Sequence, residues 1–96
     1  AKARVFKALG HPTRLFIVQE LSGGPRCVCE LTEMIGADVS TVSKHLAVLR
    51  DAGVLADRKE GAQVFYRLKV PCAVSFFKCV DAVMQANAAE QARLIG

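Results

Sequence analysis

Three observations predict a mostly α-helical fold with one small β-hairpin: an aliphatic composition, helical spacing in five segments and one pair of strand-like runs. The chain has 96 residues, which suits a single domain over residues 1–96 with one modest core. Hydrophobic residues make up 52% of the chain, aromatic residues only 6%, and Trp does not occur. Such a core must be built from Ala, Val, Leu and Ile, which favours packed helices over a sheet sandwich.

The first two predicted helices are short and end at glycines. The first runs over residues 3–10 and ends at Gly10. Pro12 opens the second, and the Ser-Gly-Gly run at residues 22–24 ends it. Its apolar residues recur at helical spacing, at Leu15, Val18 and Leu21.

The third and fourth helices lie close together in sequence. The third begins around Cys27 or Val28 and ends at Gly36, and its inner side carries an apolar stripe. A tight connection follows, and Ser40 is the predicted N-cap of the fourth helix. Gly53 comes just past the end of that helix.

The rest of the chain predicts a hairpin and one long helix. Residues 54–59 and 62–68 are strand-like runs joined at Glu60 and Gly61, where the glycine supplies the positive φ of a hairpin turn. From Pro71 onward the sequence is alanine-rich and predicts a single helix.

Two short helices around Gly36, followed by a basic hairpin, predict a helix-turn-helix with a wing. Thirteen Lys and Arg against nine Asp and Glu give a net charge of +4, which suits a polyanion. Polar and basic residues on the fourth helix and the hairpin, taken one at a time, usually form only a solvated surface. Their combination with a basic wing favours binding to double-stranded DNA. The candidate DNA contacts are Ser40, Thr41, Ser43, Lys44, His45, Arg50, Arg58, Lys59, Gln63, Tyr66 and Arg67.

The four cysteines predict metal binding or redox chemistry. No apolar run reaches a membrane span and no secretory leader is visible, so we expect a cytoplasmic protein with reduced thiols and no membrane partner. Cys27 and Cys29 are too close in sequence to staple a fold. Cys72 and Cys79 would lie about 10 Å apart on one helix, which is too far for them to bond each other.

Four segments together resemble the ArsR/SmtB family of metal- and metalloid-responsive bacterial repressors. They are residues 8–15 (ALGHPTRL), 27–31 (CVCEL), 40–55 (STVSKHLAVLRDAGVL) and 57–68 (DRKEGAQVFYRL). The resemblance implies a winged-helix homodimer that joins through its first and last helices. It also implies that the fourth helix reads operator DNA and that an inducer releases that DNA.

The Cys-Val-Cys segment resembles the arsenic-responsive members, whose pattern has a third cysteine where this chain has Thr32. The resemblance therefore implies ligation by Cys27 and Cys29, with a third thiolate from Cys72 or Cys79 of the same or the partner subunit. The expected inducer is As(III) or a similar thiophilic ion such as Sb(III), Cd or Pb, and folding requires no cofactor. The terminal-helix zinc pattern of other members is absent, since the only histidines are His11 and His45.

Helix geometry limits how Cys27 and Cys29 can act together. Residues i and i+2 of a regular helix point about 200° apart, so the pair cannot chelate one ion from an intact helix. Chelation would need an irregular or unwound first turn, and through Gly36 such a change would move the fourth helix. The distal cysteines also fit a simple apolar stripe, formed by Cys72, Phe76, Cys79 and Val83.

Two other functions compete with a metalloid sensor. One is a winged-helix repressor that senses oxidation or reactive sulfur, in which a thiolate of the third helix bonds one of the terminal helix. The other is a small thiol enzyme. Its prediction is weak because CxC is not the CxxC of thioredoxin-like folds and the sequence has no βαβ pattern, P-loop or HExxH motif.

Overall fold

The computed structural model describes residues 2–69 and 73–95, and it confirms the mostly helical fold with a β wing. Pro71 and Cys72 lie outside the described residues. The elements in chain order are α1 (Lys2–Leu9), α2 (Pro12–Leu21), β1 (Arg26–Cys27), α3 (Val28–Ile35), α4 (Val39–Asp51), β2 (Leu55–Glu60), β3 (Gln63–Leu68) and α5 (Ala73–Ile95).

The sheet has three antiparallel strands in the order β1-β3-β2. The hairpin of β2 and β3 was predicted, and Gly61 begins its turn with φ +60°. The edge strand β1 was not predicted, because two residues are too few to show an alternating pattern. Arg26 pairs with Tyr66 and Cys27 with Phe65, so the cysteine segment is joined to the wing.

The N-terminus of α4 is capped by Asp38, and the prediction of Ser40 as N-cap is wrong. The Asp38 carboxylate accepts hydrogen bonds from the Thr41 backbone N–H at 2.8 Å and from the Ser40 hydroxyl at 2.7 Å. A carboxylate placed before the first turn also interacts favourably with the helix dipole. The bond from Ser40 and that from Thr41 lower the pKa of Asp38 to about 2. The helix therefore starts at Val39.

The core lies between the helices α2, α3 and α4 and the base of the sheet. Its fully buried side chains are aliphatic, as the composition predicts: Ile17, Val18, Leu31, Val42, Leu46, Leu49 and Leu55. Tyr66 of β3 closes the core on the sheet side. The long helix α5 is different, because between residues 75 and 94 every side chain except Phe77 is exposed.

Candidate DNA-binding surface and thiol site

The N-terminal half of α4 presents short polar side chains and one cation to solvent. Ser40, Thr41, Ser43 and Lys44 are all exposed, while Val42 faces the core. The hydroxyl of Ser40 is already bonded to Asp38 and supports the cap. Thr41, Ser43 and Lys44 keep side chains that can reach base edges or phosphates from the first turns of a helix.

The wing divides its polar residues between its two faces. Because cross-strand partners share a face, the pairs Arg58–Phe65 and Glu60–Gln63 place Arg58 and Gln63 on one side, together with Arg67. Lys59 faces the other way, opposite Val64. The Arg58 guanidinium pairs with Glu60 at 2.6 Å, an exposed contact that a phosphate can replace.

Two predicted DNA contacts have other roles in the structure. Tyr66 is only 6% exposed and packs in the core, so its side chain offers little surface to DNA. Burial raises the pKa of its hydroxyl. Arg50 is exposed, but its guanidinium pairs with Asp51 and Asp57, each at 3.4 Å. The second of these pairs joins the end of α4 to β2.

His45 also has a packing role that its sequence position did not reveal. Its ring lies 4.5 Å from that of His11, and Arg14 Nη1 donates to His45 Nδ1 at 3.2 Å. Since a guanidinium can only donate, His45 accepts at Nδ1 and is neutral in this arrangement. Burial, and then the charges of His11 and Arg14, lower the pKa of His45. Arg14 also donates to the Ala8 carbonyl, so it links α1, α2 and α4.

Cys27 and Cys29 lie together, and the structure shows them joined in a disulfide. The expectation that the two side chains diverge, as on a regular helix, is therefore wrong for this pair. The reason is that Cys27 is the N-cap of α3, with extended backbone angles of φ −81° and ψ 160°, and is not part of the helix. The irregular start that chelation requires is already present. Cys27 is buried and Cys29 is exposed, so one sulfur is open to reagents from solvent.

A carboxylate holds the cysteine segment in place. Glu30 accepts a hydrogen bond from the Cys27 backbone N–H at 3.2 Å, while the Cys27 sulfur accepts one from the Glu30 backbone N–H at 3.4 Å. The two bonds form a capping box. Arg26 lies 3.3 Å from Glu30 and 3.7 Å from Glu20, which ties the segment to α2.

The third predicted ligand is not assembled within the described part of one chain. Cys79 is an exposed free thiol on α5. Cys72, the other candidate, falls outside the described residues. Among the residues that the structure describes, no group of three or more His, Cys, Asp or Glu side chains could hold a metal ion.

Comparisons with known proteins identify the family. Residues 11–57 match the family described as bacterial regulatory protein, arsR family. An uncharacterized HTH-type transcriptional regulator of Methanocaldococcus jannaschii is 39% identical over 82% of this chain and 90% of its own length. The arsenical resistance operon repressor of Escherichia coli is 47% identical over 68% of this chain and 56% of its own length. A cadmium resistance regulatory protein homolog of Staphylococcus aureus is 43% identical over 69% of this chain and 55% of its own length. The chain thus spans about half the length of these last two relatives.

Solved structures agree with this assignment. The crystal structure of Rv0081 from Mycobacterium tuberculosis superposes with a TM-score of 0.84 at 33% identity, over 94% of this chain and 91% of that one. A homodimeric winged helix-turn-helix DNA-binding domain from Mycobacterium bovis gives a TM-score of 0.76 at 32% identity, over 86% and 77% of the two chains. In the described part of this chain, no helix is long and apolar enough to cross a membrane. The chain therefore belongs to the ArsR family of bacterial regulatory proteins and is a winged-helix transcriptional repressor, not an enzyme.

Proposed function

We propose that this repressor binds operator DNA in the cytoplasm as a homodimer and that a thiophilic ion, As(III) in the first place, releases the DNA by binding Cys27 and Cys29. The observation that carries the proposal is the position of the two sulfurs. They lie together at the start of α3, which leads through Gly36 into α4, and Cys27 is paired with the wing strand β3.

The donor set fits a soft ion. Two thiolates are ligands that As(III), Sb(III), Cd and Pb prefer. The pair must be reduced before it can bind. A third thiolate would come from Cys72 or Cys79 of the same or the partner subunit, since the side chains of α5 between residues 75 and 94 are exposed except that of Phe77.

The cap of α3 explains how ligation can reach the DNA surface. In the structure the Cys27 sulfur accepts the Glu30 backbone N–H, which helps to set the first turn of α3. A thiolate that gives its electron pairs to an ion no longer supports this hydrogen bond equally well. Reversing the DNA-bound fraction from 99:1 to 1:99 requires a preference of about 5.5 kcal/mol for the released form. Two thiolate bonds in place of one weak cap are a reasonable source of that preference.

The test is an arsenite titration of the DNA complex with reduced wild-type protein and single Cys→Ser variants. Cys27→Ser and Cys29→Ser should bind the operator normally and fail to release it, because neither sulfur belongs to the DNA-contacting face. Cys72→Ser or Cys79→Ser should share this phenotype only if it removes the third ligand. Release of the Cys29→Ser variant at the wild-type arsenite concentration would show that the sensor lies elsewhere.

A redox-sensing repressor is a second candidate, and the bonded Cys27–Cys29 pair favours it. A peroxide would take two electrons and two protons from the two thiols, forming the disulfide while the peroxide is reduced to an alcohol and water. This pairing lies within one segment, unlike the bond between α3 and α5 that the sequence suggested. DNA release by peroxide or polysulfide in the absence of arsenite would support this candidate over the metalloid sensor.

A further inference from the structure

A cavity of about 400 Å³ lies between α1 and the C-terminal half of α4. Its apolar lining comes from Ala8 of α1, Val48 of α4 and Ala52, the residue after α4. No candidate DNA contact and neither cysteine of the thiol site belongs to the lining. The functions described above therefore do not account for this cavity.

Three cations line the cavity, namely Arg4 and Lys7 of α1 and Arg14 of α2. In the part of the chain that the structure describes, none of the three pairs with a carboxylate. The other charged residue of the lining is Asp51, and its carboxylate lies 3.4 Å from Arg50 Nε. Like charges that are held close together repel each other, and an anion placed between them would offset that repulsion.

Arg14 is held in position by contacts with other parts of the chain. Its half-buried guanidinium donates from Nε to the Ala8 carbonyl, from Nη1 to His45 Nδ1 at 3.2 Å and from Nη2 to the Lys7 carbonyl at 3.4 Å. A guanidinium has five N–H groups, so three are used here and two remain for another acceptor. Because the side chain is already ordered, an anion that binds to it loses little further conformational entropy.

We propose that this cavity binds a small organic monocarboxylate that has an apolar body. The carboxylate accepts from Arg14, whose planar guanidinium matches its geometry, and lies near the charges of Arg4 and Lys7. The apolar body contacts Val48 and Ala52. The volume is sufficient, since an engineered cavity of about 150 Å³ already binds benzene.

The position of the cavity favours a small ligand over the DNA backbone. The residues predicted to read base edges belong to the N-terminal half of α4, whereas the cavity adjoins the last turn of that helix. The C-terminal end of a helix carries negative partial charge and Asp51 adds to it, which is unfavourable for a polyanion. A small ligand can place its carboxylate against α1 and α2 and its apolar part against α4.

The cavity and the apolar surface of α1 lie on different sides of that helix. Phe6, which lies beside Phe76 of α5, is not part of the lining. Arg4 and Lys7 are three residues apart and share the face that carries Ala8. A ligand at this site therefore does not compete for the contact between Phe6 and α5.

The test is an NMR titration of the full chain with benzoate, with acetate and inorganic phosphate as comparison ligands. Benzoate should shift the backbone amide signals of Ala8 and Ala52 in a saturable way. It should bind at least about fivefold more tightly than acetate, because its ring leaves water on binding. It should also bind more tightly than phosphate, because Asp51 repels a second negative charge.

Arg4→Gln and Lys7→Gln should each weaken benzoate binding by roughly threefold to fivefold, since each removes one exposed charge beside the carboxylate. Lys2→Gln removes the same charge from an exposed position of α1 outside the lining and is the matched control. Asp51→Asn should strengthen the binding of phosphate by roughly twofold or more.

The absence of any saturable shift with benzoate would overturn the inference. Equal benzoate affinity of wild type, Arg4→Gln and Lys7→Gln would do the same, as would an equal loss in Lys2→Gln. Tighter binding of phosphate than of benzoate to the wild type would also contradict it. Operator binding supplies a second measurement, because a salt slope lowered by Arg4→Gln and Lys7→Gln but not by Lys2→Gln would assign these cations to the DNA backbone instead.

Discussion

His45 is a side chain of α4, the proposed DNA-reading helix, and it holds that helix in place. It accepts a hydrogen bond from Arg14 at Nδ1 and lies against the His11 ring. His11 in turn accepts the Thr13 backbone N–H at its own Nδ1 and caps α2. Protonation of His45 would remove the acceptor and place a second positive charge beside that of Arg14, so the neutral form is the one that the fold favours.

This arrangement predicts a pH-dependent stability. The pKa of His45 is lowered from 6.5 in the folded state, so the unfolded chain binds the proton more tightly. The contribution of His45 is fully present above about pH 6.5 and is lost as the pH falls toward the lowered folded value. The free energy of unfolding in urea is measured between about pH 5 and 8. As the pH falls, it should decline less steeply for His45→Gln than for wild type. Parallel pH curves would contradict the shift.

At the scale of elements, the start of α3 carries the proposed arsenic site. Thr32 occupies the position of the third cysteine in the resembling pattern, and its hydroxyl donates to the Val28 carbonyl at 2.7 Å. Thr32 follows Cys29 by three residues on a regular helix, so the side chains of Cys29 and Thr32 share a face. A thiol at position 32 would therefore be close to the existing pair.

Thr32→Cys should raise the affinity for arsenite by at least about tenfold, because a local third thiolate completes the coordination of As(III). Operator binding without inducer should not change. The measurement is the ultraviolet thiolate-to-arsenic absorption during titration of reduced protein, and Thr32→Ser is the control that keeps the hydroxyl. Unchanged affinity would mean that a third sulfur, from Cys72 or Cys79, already completes the site.

The wing predicts a specific salt dependence. Arg58 is exposed on the same face of the hairpin as Gln63 and can exchange its pairing with Glu60 for a DNA phosphate. Arg58→Ala should weaken binding to any sequence and flatten the salt slope by roughly one unit. Arg50→Ala is a useful comparison, because the Arg50 guanidinium is already held by Asp51 and Asp57. An unchanged slope for Arg58→Ala would remove the wing from the DNA contact surface.

Periodicity in the sequence was sufficient to predict the helices, since Leu31, Leu46 and Leu49 are buried at the expected helical spacing. It was not sufficient for the site. The position of Cys27 is set by pairing with Phe65, a residue 38 positions away, and by a cap whose acceptor is a sulfur. The strand pairing leaves no local pattern, and the Cys-x-x-Glu spacing of the cap differs from the usual signature because a thiol stands in place of Ser or Thr. The burial of Tyr66 was missed for a related reason, because a Tyr in a short, charged hairpin looks like a surface residue.

At the scale of the whole molecule, α5 has an apolar surface that the described part of this chain leaves exposed. Its exposed apolar side chains include Phe76, Val80, Val83 and Met84, and Phe6 of α1 lies beside Phe76 with ring centroids 6.0 Å apart. An apolar surface of this kind usually marks an association site. The position of Cys79 between these residues fits a packed stripe as well as a ligand.

The surface predicts a dimer with or without inducer, formed through α1 and α5. Sedimentation at micromolar concentration and moderate salt should give twice the 10.3 kDa chain mass. Val83→Asp should shift the protein to monomer and weaken operator binding, because a charge would be buried at the interface. Gln85→Asp adds the same charge away from the apolar stripe and should remain dimeric. A monomeric wild type would contradict the assignment of this face.

The two-residue strand β1 has a consequence for how the thiol site can be observed. Because Cys27 and Phe65 are neighbours in one ladder, disturbance of the cysteine segment should change the rate at which backbone amides of the wing exchange with solvent. Deuterium uptake of the β3 peptide would then report ligand binding from a part of the chain that holds no sulfur. A faster exchange there, without change in α2, would distinguish local loosening of the ladder from general unfolding.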